Sequence, residues 1–371
     1  MDKKVLIYGA YDLDNLGDDY MMYAIDDFLK SKNIKPVYVH IPNRLNYFDM
    51  NIDETLDIPF KMKYKNKFLK LIKIITWLFK RKDIEDIDAL IFMGGGYTNE
   101  KFGLKNLLNI YFTCQKFRNK KIYFTGQTVG PVNNVFYKIL IKNIYKKADK
   151  VCVRERFSQE LLNNFKIDNK LIGDDAFLSK SNINKSINSH TIIFNYKDFE
   201  GYDEYKSEYF KFLLEIAKLQ NKRILVIPFR SSVNSNEYKS NYKLYEFLKQ
   251  NNINADFIVE RDIKKFQQIF RSSEIVIGTA YHSIVLGLLY NNRVFGLYSG
   301  EYYKMKIKGI LNWYDIENSN AINLIDIDNI VDKFNKIIDN DNMNNNLEIT
   351  EKISNNVNTA WNEITSEILK N

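Results

Sequence analysis

Short apolar runs alternate with stretches of helical period along most of the chain, the signature of βα units laid around parallel sheets. Runs at 4–8, 36–41, 89–93, 121–125, 150–153 and 170–172 predict strands, and a 3.6-residue pattern predicts helices over 19–31, 68–80, 104–117, 135–147 and 158–165 between them. The polar stretch 179–189, SKSNINKSINS, carries no strong period and reads as an interdomain linker centred on 181–189. A second series of strands follows at 191–196, 223–228, 255–259, 274–277 and 293–297. Beyond the turn-rich stretch 339–346, Ile349, Ile353, Val357, Trp361, Ile364 and Ile368 recur at helical spacing and predict a last helix with one apolar stripe. The expected fold class is α/β: two Rossmann-like domains, 1–180 and 190–340, whose parallel sheets face a cleft, followed by a terminal helix over 345–371.

In open α/β sheets the ligand sits beyond the carboxyl ends of the strands, so the loops just after strands are where chemistry is expected. After the first strand come Asn15, Leu16, Gly17 and Asp18. Asp18 suits a helix cap, or else a carboxylate placed with the Asn15 amide on the cleft to bind hydroxyls or take a proton. Gly94-Gly95-Gly96 follows the third strand; it makes a tight turn, or brings backbone N–H groups close to a ligand. Gln127 and Thr128 in the run GQTVGP offer neutral hydrogen bonds. Arg154 stands at a strand tip, where a guanidinium can fork onto a phosphate or carboxylate, and Ser158 suits the cap of the next helix. In the second half the informative loops are Pro228-Phe229-Arg230 and Gly278-Thr279-Ala280-Tyr281-His282-Ser283. Of the three histidines, His40, His190 and His282, only the last sits at a strand-to-helix junction among small residues. No nucleophile-elbow pattern surrounds Ser283, and no His or Cys spacing suits a metal.

Length and composition narrow the classes. The 371 residues suit two domains of about 150–200 each, and 45% hydrophobic residues provide a packed core. Lys and Arg total 54 against 46 Asp and Glu, a net charge of +8. Residues 61–82 alone hold nine basic and no acidic side chains, so without them the chain stands at −1. The basicity is local, which argues against a nucleic-acid partner. In that stretch Phe68, Leu71, Ile72, Ile75, Leu78 and Phe79 form one helical face with Lys70 and Lys73 on the other. The pattern suits either a packed helix with a solvated lysine side or an interfacial helix at an anionic membrane surface. Two cysteines, Cys114 and Cys152, both in apolar patterns, build no disulfide framework. With no signal-peptide pattern and no apolar run long enough to span a bilayer, a cytoplasmic location is expected.

Taken in order, these loops resemble the polysaccharide pyruvyl transferase family. Asn15-Leu16-Gly17-Asp18 is similar to its N-x-G-D motif, the three glycines 94–96 to its glycine triplet, and the run Gly126 to Pro131 to its G-Q-x-x-G-P. Arg154 with Ser158 resembles R-x-x-x-S, and Asp174-Asp175-Ala176-Phe177 resembles D-x-A-F. Gly278 to Ser283 follows G-x-R-x-H-S except that Ala280 stands where the family has arginine, and Tyr298 and Lys304 resemble its later Tyr and Lys. The resemblance implies a fold similar to the GT-B glycosyltransferases. It also implies transfer of a pyruvyl group from phosphoenolpyruvate onto two hydroxyls of a bacterial surface polysaccharide or its lipid-linked precursor, with no cofactor and no metal.

It further implies His282 as an acid/base or phosphate-contacting group, and Asp18 is the second catalytic candidate. Arg154, Arg230, Thr279, Ser283 and Lys304 fall on the donor side, and Asn15, Gly95, Gly96 and Gln127 on the acceptor side. Arg230, Arg271 and Lys304 are the cations available to replace the missing arginine. Two other classes stay open: a GT-B glycosyltransferase using a sugar nucleotide, and a glycan-binding homologue without chemistry.

Overall fold

The structure, a computed structural model, describes residues 3–9, 14–40, 48, 52–60, 62, 66–179, 191–197, 206–324, 334–335 and 344–370. The linker 181–189 and His190 lie outside the described residues.

Among those residues the N-terminal lobe holds an eight-stranded sheet. Its strands are β1 (Lys3–Tyr8), β2 (Ile34–Val39), β3 (Thr55–Leu56), β4 (Ala89–Phe92), β5 (Gly95–Thr98), β6 (Lys121–Val129), β7 (Lys150–Val153) and β8 (Lys170–Leu171). They run in the order β3-β2-β1-β4-β6-β7-β8, with β5 paired to the far half of β6. The C-terminal lobe holds six strands, β9 (Thr191–Asn195), β10 (Arg223–Val226), β11 (Ala255–Phe257), β12 (Ser273–Gly278), β13 (Arg293–Tyr298) and β14 (Ala321–Asn323), in the order β11-β10-β9-β12-β13-β14. Every pairing is parallel. The central strands are covered on both faces, which is why they read as near-continuous apolar runs rather than alternating ones.

Helices fill the crossovers: α1 (Leu16–Ser31), α2 (Lys67–Phe79), α3 (Gly103–Lys116), α4 (Val135–Tyr145) and α5 (Arg156–Asn164) in the first lobe. In the second lie α6 (Lys206–Gln220), α7 (Asn236–Gln250), α8 (Ile263–Arg271), α9 (Tyr281–Leu289) and α10 (Gly300–Leu311), and α11 (Asn344–Lys370) follows. Two expected caps move. Asn15, not Asp18, caps α1, its side-chain oxygen accepting from the Gly17 N–H at 3.2 Å, which leaves Asp18 one turn in and free for another role. α5 starts two residues before Ser158, whose hydroxyl instead accepts from the Val129 N–H and donates to Glu155.

The lobes share one hydrophobic core. Val5, Ile7, Tyr20 and Met21 from the first join Ile284, Val285 and Leu288 of α9 and Ile353, Val357 and Trp361 of α11. The apolar stripe predicted for α11 is buried as expected, and the helix carries the chain back onto the N-terminal lobe. There Trp361 donates to Asp175 at 3.0 Å, and Lys150 pairs with Glu363 and Glu367. A polar clamp reinforces the seam: buried Asp14 accepts from Ser231 N–H, Ser231 Oγ and Ser232 N–H at 2.6–2.7 Å, and the Leu16 N–H bonds the Phe229 carbonyl at 3.0 Å. Cys114 and Cys152 are free and buried.

Candidate active site

The carboxyl ends of the two sheets face each other across a cavity of about 300 Å³. The N-terminal lobe lines it with Tyr8, Asn15, Asp18, Gly95, Gly96, Tyr97 and Phe102, the C-terminal lobe with Lys197, Arg230, Glu237, Ala280, Tyr281, His282, Tyr302 and Lys306. The N-termini of α1 and α9 border it, through Asn15 and through Ala280, Tyr281 and His282, so backbone dipoles add to the cationic side chains in favouring an anion.

His282 occupies the first turn of α9, and its ring lies against the backbone of Gly17 in α1: a Cβ on Gly17 would fall 2.0 Å from the imidazole. The family-like glycine thus lets two helix ends meet head to head. Nε2 of His282 is buried without a hydrogen-bond partner and lies 3.9 Å from Oδ2 of Asp174. Burial pushes the imidazole down to about 3, the nearby cations adding to the effect and Asp174 opposing it, so the ring is neutral near pH 7. Asp18 goes the other way: burial lifts its carboxyl to about 6 against the pull of Lys306, Arg154 and Lys197. Asn15 Nδ2 donates to it at 2.6 Å. Lys306, half-buried, is driven down to about 7 by burial and by Arg154 and Lys197 beside it.

Of the expected donor-side residues, Arg230 alone lines the cavity. Arg154 is buried behind it, bonded to Asp174, Glu155 and Thr128, with its guanidinium carbon 4.2 Å from the centre of the Tyr281 ring. Its reach stops at Asp174, the carboxylate facing His282. Burial is the largest single influence on Asp174 and opposes its ionisation, but Arg154, His282 and the Ala176 N–H together outweigh it and hold that carboxyl below its ordinary range. Thr279 Oγ1 accepts from the Lys197 N–H, fixing the backbone from which Lys197 enters the cavity. Ser283 Oγ turns back to the Ala280 carbonyl at 2.6 Å. Lys304 points away and pairs with Glu301 at 3.0 Å. Arg271, the third available cation, is packed by the Tyr290 ring and is not part of the lining.

Of the expected acceptor-side residues, Asn15, Gly95 and Gly96 line the cavity, whereas Gln127 is buried and donates to the Met93 carbonyl at 2.7 Å, supporting the glycine turn from below. Gly96 meets Tyr302 of the opposite lobe, whose hydroxyl donates to its carbonyl at 3.1 Å and sits where a Cβ would fall.

Sequence reasoning missed Lys197, Glu237, Tyr302 and Lys306. Lys197 stands just beyond a predicted strand, and the post-strand rule applied elsewhere finds it. Tyr302 and Lys306 are four apart on one face of α10, a signal legible once the helix is placed. Among the described residues no group of three His, Cys, Asp or Glu side chains comes together as a metal site.

The motifs that build this cavity lie within a match to the polysaccharide pyruvyl transferase family over residues 15–301. The chain belongs to that family. No curated protein matches it by sequence. Solved structures similar to this pyruvyl transferase family member include UDP-GlcNAc 2-epimerase from Neisseria meningitidis bound to UDP-GlcNAc (TM-score 0.62, 15% identity, 100% of both chains covered). MnaA from S. aureus with UDP (0.61, 13%, 99% of this chain and 97% of that) and MurG from Acinetobacter baumannii (0.57, 12%, 98% and 99%) are also similar. At such identity these likenesses establish the fold, GT-B, and nothing of the substrate.

Proposed function

We propose that this family member transfers the enolpyruvyl carbons of phosphoenolpyruvate to two hydroxyls of a sugar in a bacterial surface glycan or its lipid-linked precursor, leaving a cyclic ketal and inorganic phosphate. The observation that carries the reading is the lining of the cavity: Lys197, Arg230 and Lys306 converge on it with a neutral imidazole and a carboxyl of raised pKa. A small donor bearing a carboxylate and a phosphate needs cations to hold it and to stabilise the departing phosphate. At about 300 Å³ the cavity is at the small end for ligand sites, which suits this donor better than a sugar nucleotide such as the UDP-GlcNAc of the Neisseria protein.

The chemistry divides between the two lobes. Asp18, held near 6, delivers a proton to the donor methylene, making it a methyl group and C2 electrophilic. The first sugar hydroxyl attacks C2 and gives its proton to His282, whose imidazolium is stabilised by Asp174 and by the donor's own charge. Loss of phosphate breaks the C2–O bond. The second hydroxyl then closes the ring and returns its proton to Asp18, while His282 passes the proton it took to the departing phosphate, so both groups end as they began. Arg154 acts at one remove, as the positioning partner of Asp174.

Incubation with phosphoenolpyruvate and glycans bearing paired hydroxyls is expected to release phosphate in step with a new ketal methyl signal in proton NMR. Calorimetry supplies the control. Tight binding of UDP-sugars with none of phosphoenolpyruvate overturns the reading in favour of glycosyl transfer; glycan binding without either donor overturns it in favour of a non-catalytic homologue.

A further inference from the structure

We infer that the outer face of the N-terminal lobe, built by α2, α3 and α4, docks on an anionic lipid bilayer beside the mouth of the cavity. The three helices lie side by side, α2 against α3 and α3 against α4. Their inner faces are packed, with Trp77, Leu107, Ile110, Leu140 and Ile144 in one core. Their outer faces are apolar where water is expected. Phe68 is 67% exposed and Phe79 82% on α2, while Val135 is 68% and Phe136 55% exposed on α4. Leu71, Ile72 and Ile75 on α2, Leu104 on α3 and Ile139 on α4 are exposed as well. Single exposed apolar residues need no explanation; a face drawn from three adjacent helices does.

Charge decides the occupant. None of the three helices contains an aspartate or glutamate, and each carries lysines, among them Lys73, Lys105 and Lys138. A second protein chain offering a plain apolar patch has no use for helices whose only charges are lysines, whereas anionic headgroups over an acyl layer match both features. The ends nearest the active site are fixed by contacts. Glu100, just before α3, accepts from the Asn133 and Asn134 N–H groups just before α4, so the N-termini of α3 and α4 are neighbours. Lys116 near the end of α3 reaches the Trp77 and Lys80 carbonyls at the end of α2, so α2 and α3 run parallel. The apolar face therefore climbs toward Phe102, which is exposed and also lines the cavity. A sugar carried on a membrane lipid would meet the cavity at that edge.

This proposal stands apart from pyruvyl transfer, because its test contains no donor. The full chain is sedimented with phosphatidylcholine vesicles, with and without about one third phosphatidylglycerol, at low and at high salt. Binding is expected only with the anionic vesicles and falls as salt rises. Phe68→Asp combined with Phe136→Asp is expected to weaken it at least ten-fold, while thermal unfolding stays unchanged because both side chains are exposed. Absence of wild-type binding at low salt overturns the proposal, as does equal binding by the variant. A wild-type dimer in light scattering that Phe68→Asp converts to monomer, without vesicle binding, assigns the face to a second copy and overturns it too.

Discussion

Gly17→Ala tests the head-to-head meeting of α1 and α9 directly. A methyl group there falls 2.0 Å from Cγ and Nδ1 of His282 and 2.4 Å from its Cβ, whereas ordinary contact begins near 3.4 Å. The ring must retreat by about 1.4 Å. Neither helix can yield easily, because Leu16 and Tyr20 on one side and Ile284 and Val285 on the other are buried in the shared core. Overpacking of this size costs about 1–3 kcal/mol. It also moves the imidazole out of register with Asp174, and a 1 Å misplacement in a reacting constellation lowers turnover by about 10²-fold.

The decisive measurement is a double-mutant cycle by urea unfolding. Gly17→Ala alone loses the full amount; in a His282→Ala background, where the ring is gone, the same change is nearly neutral. Phosphate release from phosphoenolpyruvate, followed in parallel, drops in Gly17→Ala without loss of the folded signal. Additive stability costs, or a Gly17→Ala enzyme of wild-type turnover, would refute the packing argument.

The ionisable groups supply further expectations. His282 has its folded pKa depressed to about 3, so the unfolded chain binds the extra proton between 6.5 and 3, and stability present above 6.5 is lost as pH falls. His282→Gln removes that loss, about 1.4 kcal/mol for each pH unit below 6.5, and parallel stability profiles for the two proteins in urea would contradict it. Lys306, lowered to about 7, keeps its charge only below that pH, so donor affinity by calorimetry falls from pH 6 to pH 8; Lys306→Arg holds affinity constant over the same range. Asp14→Ala removes three part-buried hydrogen bonds across the seam and is expected to cost about 3 kcal/mol and to enlarge the scattering radius; an unchanged radius and melting temperature would show the clamp is idle. Ala280→Arg, which restores the family residue beside the cavity, is expected to keep or raise affinity for phosphoenolpyruvate, and a loss would mean the pocket has been rebuilt around alanine.

Much of the frame was legible because βα alternation is a local property. Strand positions came within a few residues, and the post-strand rule led to Asn15, Asp18, Gly95, Gly96, Arg230 and His282, all of which line the cavity. Glycine hid β5, since residues 95–96 look like a turn until β6 runs on to Val129 and offers them a partner. Arg154 was readable as a cation at a strand tip but not as a buried one: its pairing with Asp174 depends on β7 and β8 lying side by side, a fact of the sheet rather than of either segment. The roles of Tyr302 and Lys306 depend on how one lobe closes over the other, and no local pattern encodes that closure.

The replacement of a guanidinium by alanine at position 280 makes sense only with the cations around it. An arginine there would join Arg154, Lys197 and Lys306 in one desolvated cluster, where like charges already drive the lysine's pKa down. Without it, Lys306, lowered to about 7, stands between charged and neutral near physiological pH. The proposed donor, bearing a carboxylate and a phosphate, would then draw a proton onto it on binding, so repulsion within the cluster is lower above pH 7 and the full positive charge would appear with the donor bound. In the proposed reaction the same donor would raise the affinity of His282 for a proton as a hydroxyl gives one up. Calorimetry in buffers of different ionisation enthalpy reads this directly: binding at pH 8 takes up a proton in the wild type and not in Lys306→Arg. Equal proton uptake by both would place the coupling elsewhere in the cluster and leave the alanine without a physical account.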